Sequence, residues 1–222
     1  MFKRVLVAED IDSINIGVIQ ALSELGIVHI EHVKYCDDAI LKVKKAILDN
    51  TPYDLFISDL SFEQDHRDVK IKTGEEAIQQ IRILQPKLKI IVYSVEDKIF
   101  RIKTLFEESQ INGYIQKGRN SIDQLKMAVN HITHSQEPYL SPSLHHIFKD
   151  NSSREIDDYD VQIIKQLSIG ITQDELESRF KELGITPNSK STIEKRISKL
   201  KDHFRANNTV HLIAIAKDLG IA

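Results

Sequence analysis

Five polar residues stand where short apolar runs end. Glu9 and Asp10 follow Val5-Leu6-Val7-Ala8. Asp59 follows Leu55-Phe56-Ile57-Ser58, Ser94 closes Ile91-Val92-Tyr93, and Lys117 follows Tyr114-Ile115-Gln116. Taken singly, each has a plain explanation, since aspartate and serine side chains cap turns and helices. Taken together they are three carboxylates, a hydroxyl and an ammonium group, a set suited to phosphoryl transfer. Three carboxylates at close quarters are costly without a cation among them. A few hard oxygen ligands suit Mg²⁺, which keeps several waters and binds substrate phosphate. Asp59 is then the nucleophile, forming an aspartyl phosphate. The metal and Lys117 neutralise the transferring group, and Ser94 hydrogen-bonds a phosphoryl oxygen.

For that chemistry the five must meet, and the pattern of the first 134 residues brings them together. Apolar runs that read as strands lie at 5–8, 28–33, 55–58, 89–93 and 113–116. Between and after them, apolar residues at helical spacing predict helices over 13–25, 37–48, 75–84, 97–108 and 121–134. Five successive βα units predict an α/β fold with a parallel five-stranded sheet and helices on both faces. A flavodoxin-like strand order, 2-1-3-4-5, places strands one and three side by side, with the ligand crevice at their C-terminal ends. Parallel strands share that edge, so all five polar residues converge on it.

The pattern changes after residue 134. Ser135-Gln136-Glu137-Pro138 breaks the periodicity, 139–148 is partly apolar with room for a helical turn after Pro142, and 149–154 is polar. From residue 157 onward only helices are expected, over 158–168, 173–183, 192–205 and 210–219. The chain of 222 residues thus divides into an α/β domain at 1–134, a linker at 135–155 and a small all-α domain at 156–222. Net charge is −3, so any nucleic-acid surface must be local. A lone cysteine, Cys36, suits a reducing cytoplasm. No apolar run approaches the roughly 20 residues of a membrane span, and Glu9 and Asp10 arrive too soon for a signal peptide. A cytoplasmic protein without membrane contact is expected. His131/His134 and His145/His146 lack Cys or carboxylate neighbours at metal spacing.

The ordered set of acid pair, acid, hydroxyl and lysine resembles the receiver domain of two-component response regulators, over about residues 2–134. The resemblance implies that Asp59 is the phospho-acceptor for a sensor histidine kinase. It implies that Glu9, Asp10, Asp59 and the main-chain carbonyl of Ser61 hold Mg²⁺. Ser94 is then the switch hydroxyl, Lys117 the phosphate-contacting lysine, and Tyr114 the aromatic residue that turns inward on activation. Gly113-Tyr114-x-x-Lys117-Gly118 is similar to the NarL/FixJ subgroup. The stretch from Leu60 to Thr73 is long for such a domain and looks like an insertion beside the acceptor.

In the helical domain, Ile193, Ile197, Leu200 and Phe204 form one apolar stripe. Between Lys190 and Arg205 lie six basic residues and two acidic ones, a local basic helix of the kind that contacts phosphates. Thr172 with Glu175, and Ser191 with Glu194, have capping-box spacing. Gly170-x-Thr172-x-x-Glu175-Leu176 and Ser189-x-x-Thr192-Ile193-Glu194-x-Arg196 resemble the LuxR-type helix-turn-helix output domain. The resemblance implies double-stranded DNA as a partner and a homodimer on activation. Glu194, Lys195 and Ser198 would lie nearest the bases, and Lys190, Thr192, Arg196, Lys199 and Lys201 nearest phosphates. Two other readings stay open. One is a haloacid-dehalogenase-like Mg²⁺-dependent phosphatase, which needs its nucleophile on the first strand. The other is a regulator whose helical domain binds protein, since residues 151–222 carry no net charge.

Overall fold

The structure, a computed structural model, describes residues 2–63, 65–145 and 156–222. Contacts divide the chain into two compact units, one built on a sheet and one on the C-terminal helices.

The apolar runs become β1 (Arg4–Ala8), β2 (His29–Val33), β3 (Leu55–Ser58), β4 (Lys89–Ser94) and β5 (Gly113–Gln116). All are parallel, in the order β2-β1-β3-β4-β5-β6. The sixth strand, β6 (Tyr139–Leu140), corrects the expected count of five. Two residues are too few to show any alternation, so the sequence carries no sign of it. Its physical cause is the edge of β5, whose backbone groups would otherwise stay unpaired. The Tyr139 N–H donates to the Asn112 carbonyl at 2.9 Å and the Ser141 N–H to that of Tyr114 at 3.0 Å. Residues 139–144, expected in the linker, thus extend the sheet, ending in a single 3₁₀ turn at Pro142–Leu144. The expected polar stretch at 149–154 lies outside the described residues.

Five helices cover the sheet: α1 (Asp12–Glu24), α2 (Cys36–Leu48), α3 (Gly74–Leu84), α4 (Ile99–Glu107) and α5 (Ser121–His134). Strand side chains alternate between faces. Val5, Val7, Leu55, Ile57, Ile91, Tyr93 and Ile115 pack with Val18 and Leu22 of α1 and Leu125, Ala128 and Val129 of α5. The alternate residues Leu6, Phe56, Ile90, Val92 and Tyr114 are fully buried too. Burial on both faces explains why these strands read as continuous apolar runs.

The second unit holds α6 (Asp158–Ser168), α7 (Leu176–Glu182), α8 (Lys190–His203) and α9 (Thr209–Leu219). No strand occurs among its described residues. Ile163, Ile164, Leu176, Phe180, Ile193, Ile197, Leu200, Leu212 and Ala216 form its core. The Phe180 ring meets Tyr159 edge-on, 5.5 Å between centroids. At Thr172 the expected box is present in one half, the Glu175 carboxylate accepting the Thr172 N–H at 2.9 Å. The box expected at Ser191 does not form. Ser189 is the N-cap, so α8 starts two residues before the expected 192. The seven-residue turn 183–189 before α8 is pinned, with the Ile185 N–H on the Phe180 carbonyl at 2.9 Å and the Tyr159 hydroxyl donating to the Pro187 carbonyl at 2.6 Å. Among the described residues no helix is long and apolar enough to cross a membrane.

Candidate functional site

The sheet ladder runs past the strand ends and fixes the polar residues. The Glu9 N–H donates to the Val33 carbonyl at 3.0 Å, the Asp59 N–H to Ala8 at 3.0 Å and the Lys117 N–H to Ser94 at 2.7 Å. Alternation then does the rest. Glu9 continues the series Val5, Val7; Asp59 continues Leu55, Ile57; Lys117 continues Ile115. All three therefore emerge on the same side of the sheet. His32 Nε2 lies 2.8 Å from the Glu9 carbonyl and holds that turn from the outer strand.

Lys117 Nζ sits 2.7 Å from Glu9 Oε2 and 2.6 Å from Asp59 Oδ2. The three side chains are buried, with Glu9 at 2% and Asp59 at 5% exposure. Burial pulls the Lys117 ammonium down, but its bonds to Asp59 and Glu9 outweigh this and hold its pKa above the ordinary lysine value. Burial pushes the Glu9 carboxyl up, against the opposing pull of Lys117. The other oxygen of Asp59, Oδ1, accepts the Leu60 N–H at 2.6 Å, which fixes the carboxylate plane. Tyr93 supports Lys117 from below, its ring centroid 5.5 Å from Nζ. The Tyr93 hydroxyl is 2.6 Å from that of Ser121, at the start of α5.

Glu9, Asp10 and Asp59 each place a carboxylate oxygen within 4.8 Å of the others. Oδ2 of Asp10 accepts the Glu63 N–H at 2.7 Å. Its Oδ1 is buried with no hydrogen-bond partner among the described residues. An all-oxygen donor set with one orphaned carboxylate oxygen fits a hard divalent cation. Ser61 forms an isolated antiparallel bridge with Thr73. The bond that closes it runs from the Gly74 N–H to the Leu60 carbonyl, 2.9 Å, and leaves the Ser61 carbonyl out.

Ser94 is fully buried and its hydroxyl has no hydrogen-bond partner among the described residues. Tyr114 is also fully buried, its hydroxyl donating to the Glu96 carbonyl at 2.8 Å, two residues past Ser94. The expected switch residue therefore already points inward here.

Gly74 is a site residue that the sequence reading passed over. A Cβ there would lie 1.8 Å from the Asp59 carbonyl oxygen, so only glycine lets α3 start directly against Asp59. The cap signal Thr73-Gly74-Glu75-Glu76 marks the helix start, with the Thr73 hydroxyl accepting the Glu76 N–H at 3.3 Å. It does not reveal the close approach.

On α8, Lys190, Glu194, Lys195, Ser198 and Lys199 are exposed, and Thr192 and Lys201 partly so. Lys190 pairs with Asp174 at 2.7 Å, and the Thr192 hydroxyl is 2.8 Å from that of Ser189. Arg196 is engaged inside the domain instead of standing free with them. Its Nε meets Oδ1 of buried Asp160 at 2.5 Å and its Nη2 meets Oδ2 of Asp160 at 2.9 Å and also Asp157. The spacing 193-196-197-200 puts Arg196 on the flank of the apolar stripe, a signal the sequence does carry.

No protein-family model matches the sequence, and no curated protein sequence matches it. Solved structures do. The RcsB response regulator of Salmonella typhimurium, in a study of its DNA interaction, matches at 17% identity and TM-score 0.61, over 97% of this chain and 98% of that one. RcsB from Salmonella enterica serovar Typhimurium, bound to the promoter rprA with the phosphomimetic BeF3⁻, matches at 17% identity and TM-score 0.65, over 98% and 99%. The isolated REC domain of that RcsB, with the same phosphomimetic, matches at 20% identity and TM-score 0.52, over 65% of this chain and 97% of that one. The chain has the RcsB fold. The RcsB likeness extends to both units, and at these identities it establishes the fold, whereas function has to be argued from the site.

Proposed function

We propose that this protein is a phosphorylation-switched, DNA-binding response regulator of the NarL/FixJ type. One observation carries the reading. Lys117 bridges Asp59 and Glu9 at the edge of a parallel sheet, beside an Asp10 carboxylate oxygen and a Ser94 hydroxyl that both lack hydrogen-bond partners among the described residues. Those two unmet groups are what a divalent cation and a phosphoryl oxygen would satisfy.

An Asp59 carboxylate oxygen attacks the phosphorus of a phosphohistidine on a sensor histidine kinase. The P–N bond of the ring-protonated phosphoimidazole breaks, its electron pair stays on nitrogen so that neutral imidazole leaves, and the product is an acyl phosphate on Asp59. Glu9, Asp10, Asp59 and the Ser61 carbonyl would hold Mg²⁺, which when bound offsets negative charge on the phosphoryl oxygens. Lys117 is already on an Asp59 oxygen and needs little movement to reach the new group. Ser94 donates its buried hydroxyl to a phosphoryl oxygen. The backbone from Ser94 to Glu96 moves with it and carries the Tyr114 hydroxyl bond along, which couples acceptor chemistry to the far side of β5.

A structure of two RcsB dimers bound to two parallel DNAs, and one of an RcsB–DNA complex, support α8 as a DNA-reading helix and a homodimer as the active form. Glu194, Lys195 and Ser198 face bases, and Lys190, Thr192, Lys199 and Lys201 face phosphates. Arg196 braces the helix. A haloacid-dehalogenase-like phosphatase would put its nucleophile where Glu9 is buried under Lys117. The test is selection of binding sites from a random duplex pool, with and without beryllofluoride. A discrete sequence enriched more strongly with beryllofluoride supports the reading. Equal recovery of all sequences refutes it and favours a protein partner for the helical unit.

A further inference from the structure

The long segment between Asp59 and α3 is not a loose insertion. Residues 65–71 are fastened to α2 and the turn before it. Arg67 makes a bidentate pair with Asp38, at 2.9 and 2.7 Å, and its guanidinium lies 4.2 Å from the Tyr35 ring centroid. The Tyr35 hydroxyl donates to Asp65 Oδ2 at 2.5 Å, and the Arg67 N–H to Asp65 Oδ1 at 2.8 Å. The Lys70 N–H donates to Asp37 Oδ2 at 2.8 Å. At the other end, the Ser61–Thr73 bridge closes the segment beside the acceptor. Its innermost contact is the Glu63 N–H on Asp10 Oδ2, while Oδ1 of the same carboxylate is buried without a hydrogen-bond partner among the described residues.

We propose that this segment is a strap, locked by Arg67 onto Asp38 and Tyr35, that presets Asp10 and the Ser61 carbonyl for a divalent cation. The proposal rests on the reading of the acidic pocket given above. A carboxylate whose second oxygen is already fixed loses less freedom when the first binds metal. Groups that orient a metal ligand, without touching the metal, characteristically change affinity by about 10–100-fold when removed. Arg67, Asp38 and Tyr35 are thus positioning residues for the cation, and the strap sets how much metal the site needs before Asp59 can react.

The test is titration of the full chain with Mn²⁺, which takes carboxylate and carbonyl ligands as Mg²⁺ does, following the free ion by electron paramagnetic resonance. Wild type should bind one ion and Asp10→Asn should not. Arg67→Ala should bind roughly tenfold more weakly, with its urea midpoint in EDTA unchanged, because Arg67 lies on the surface. Tyr35→Phe, which removes a single hydroxyl, should weaken binding in the same direction, and the swapped pair Asp38→Arg with Arg67→Asp should recover affinity. If wild type binds, Asp10→Asn does not, and both Arg67→Ala and Tyr35→Phe match wild type, the strap proposal is overturned while the pocket stands. If wild type fails to bind Mn²⁺, or Asp10→Asn binds as tightly, the pocket reading itself fails.

Discussion

At the residue scale one lysine, Lys117, is shared by two buried carboxylates, Glu9 and Asp59. Replacing Lys117 with Met keeps its length and removes its charge, leaving Glu9 and Asp59 side by side. Breaking a buried pair this way costs about 3–5 kcal/mol, so the urea midpoint in EDTA should fall sharply. Relief of the same crowding predicts the opposite sign for Asp10→Asn. In EDTA it should melt above wild type, while losing the stabilisation that Mg²⁺ gives wild type through mass action. Gly74→Ala forces a methyl group onto the Asp59 carbonyl and must displace Asp59. A displacement of about 1 Å can cost roughly 100-fold in rate, measurable as slowed labelling by a small phospho-donor. Glu9, Asp10, Asp59, Ser94 and Lys117 were legible because each ends an apolar run, and parallel strands bring such ends to one edge. Gly74 was not, because its reason is a contact with a backbone fifteen positions away, and a glycine before a helix has many other causes.

At the scale of elements, the same contrast separates β1–β5 from β6. Of these, β1, β3 and β4 are runs of four to six residues buried on both faces and announce themselves, whereas Tyr139–Leu140 is strand only because β5 offers it an edge. The helix that carries the proposed DNA contacts was expected at 192–205, and the apolar stripe of Ile193, Ile197 and Leu200 placed it. Its start was misplaced because two serines, Ser189 and Ser191, both have N-cap chemistry. What the stripe alone did not reveal is the brace beneath it, Arg196 on Asp157 and Asp160. Although burial pushes the Asp157 carboxyl up, its bonds to the Asp160 N–H and to Arg196 prevail and hold it below the ordinary aspartate value of 3.8. A carboxyl depressed by folding contributes stability above its unfolded value, and that contribution is lost as pH falls through the folded value. Urea midpoints of the helical unit measured from pH 6 down to pH 3 should therefore drop more steeply in wild type than in Arg196→Met. Parallel curves would mean that the brace carries no such linkage.

At the scale of the whole molecule, a net charge of −3 gives no general pull toward nucleic acid, so the proposed DNA binding must draw on the α8 surface. Lys195→Ala should narrow the difference between a selected site and random duplex. Lys199→Ala should weaken both about equally and reduce the salt dependence of binding by about one counterion. Fluorescence anisotropy over a salt series separates the two. Phe180→Ala, at the centre of the helical core, should cost about 3–5 kcal/mol and abolish DNA binding while leaving the sheet unit able to accept phosphate. The phosphorylation outcomes among these rest on Asp59 as the acceptor. The direct measurement is the intact mass of the full chain after incubation with Mg²⁺ and acetyl phosphate. The account predicts a single phosphoryl adduct that hydroxylamine releases and that Asp59→Asn abolishes. An adduct that persists in Asp59→Asn, or a wild-type protein that takes up none, would contradict it.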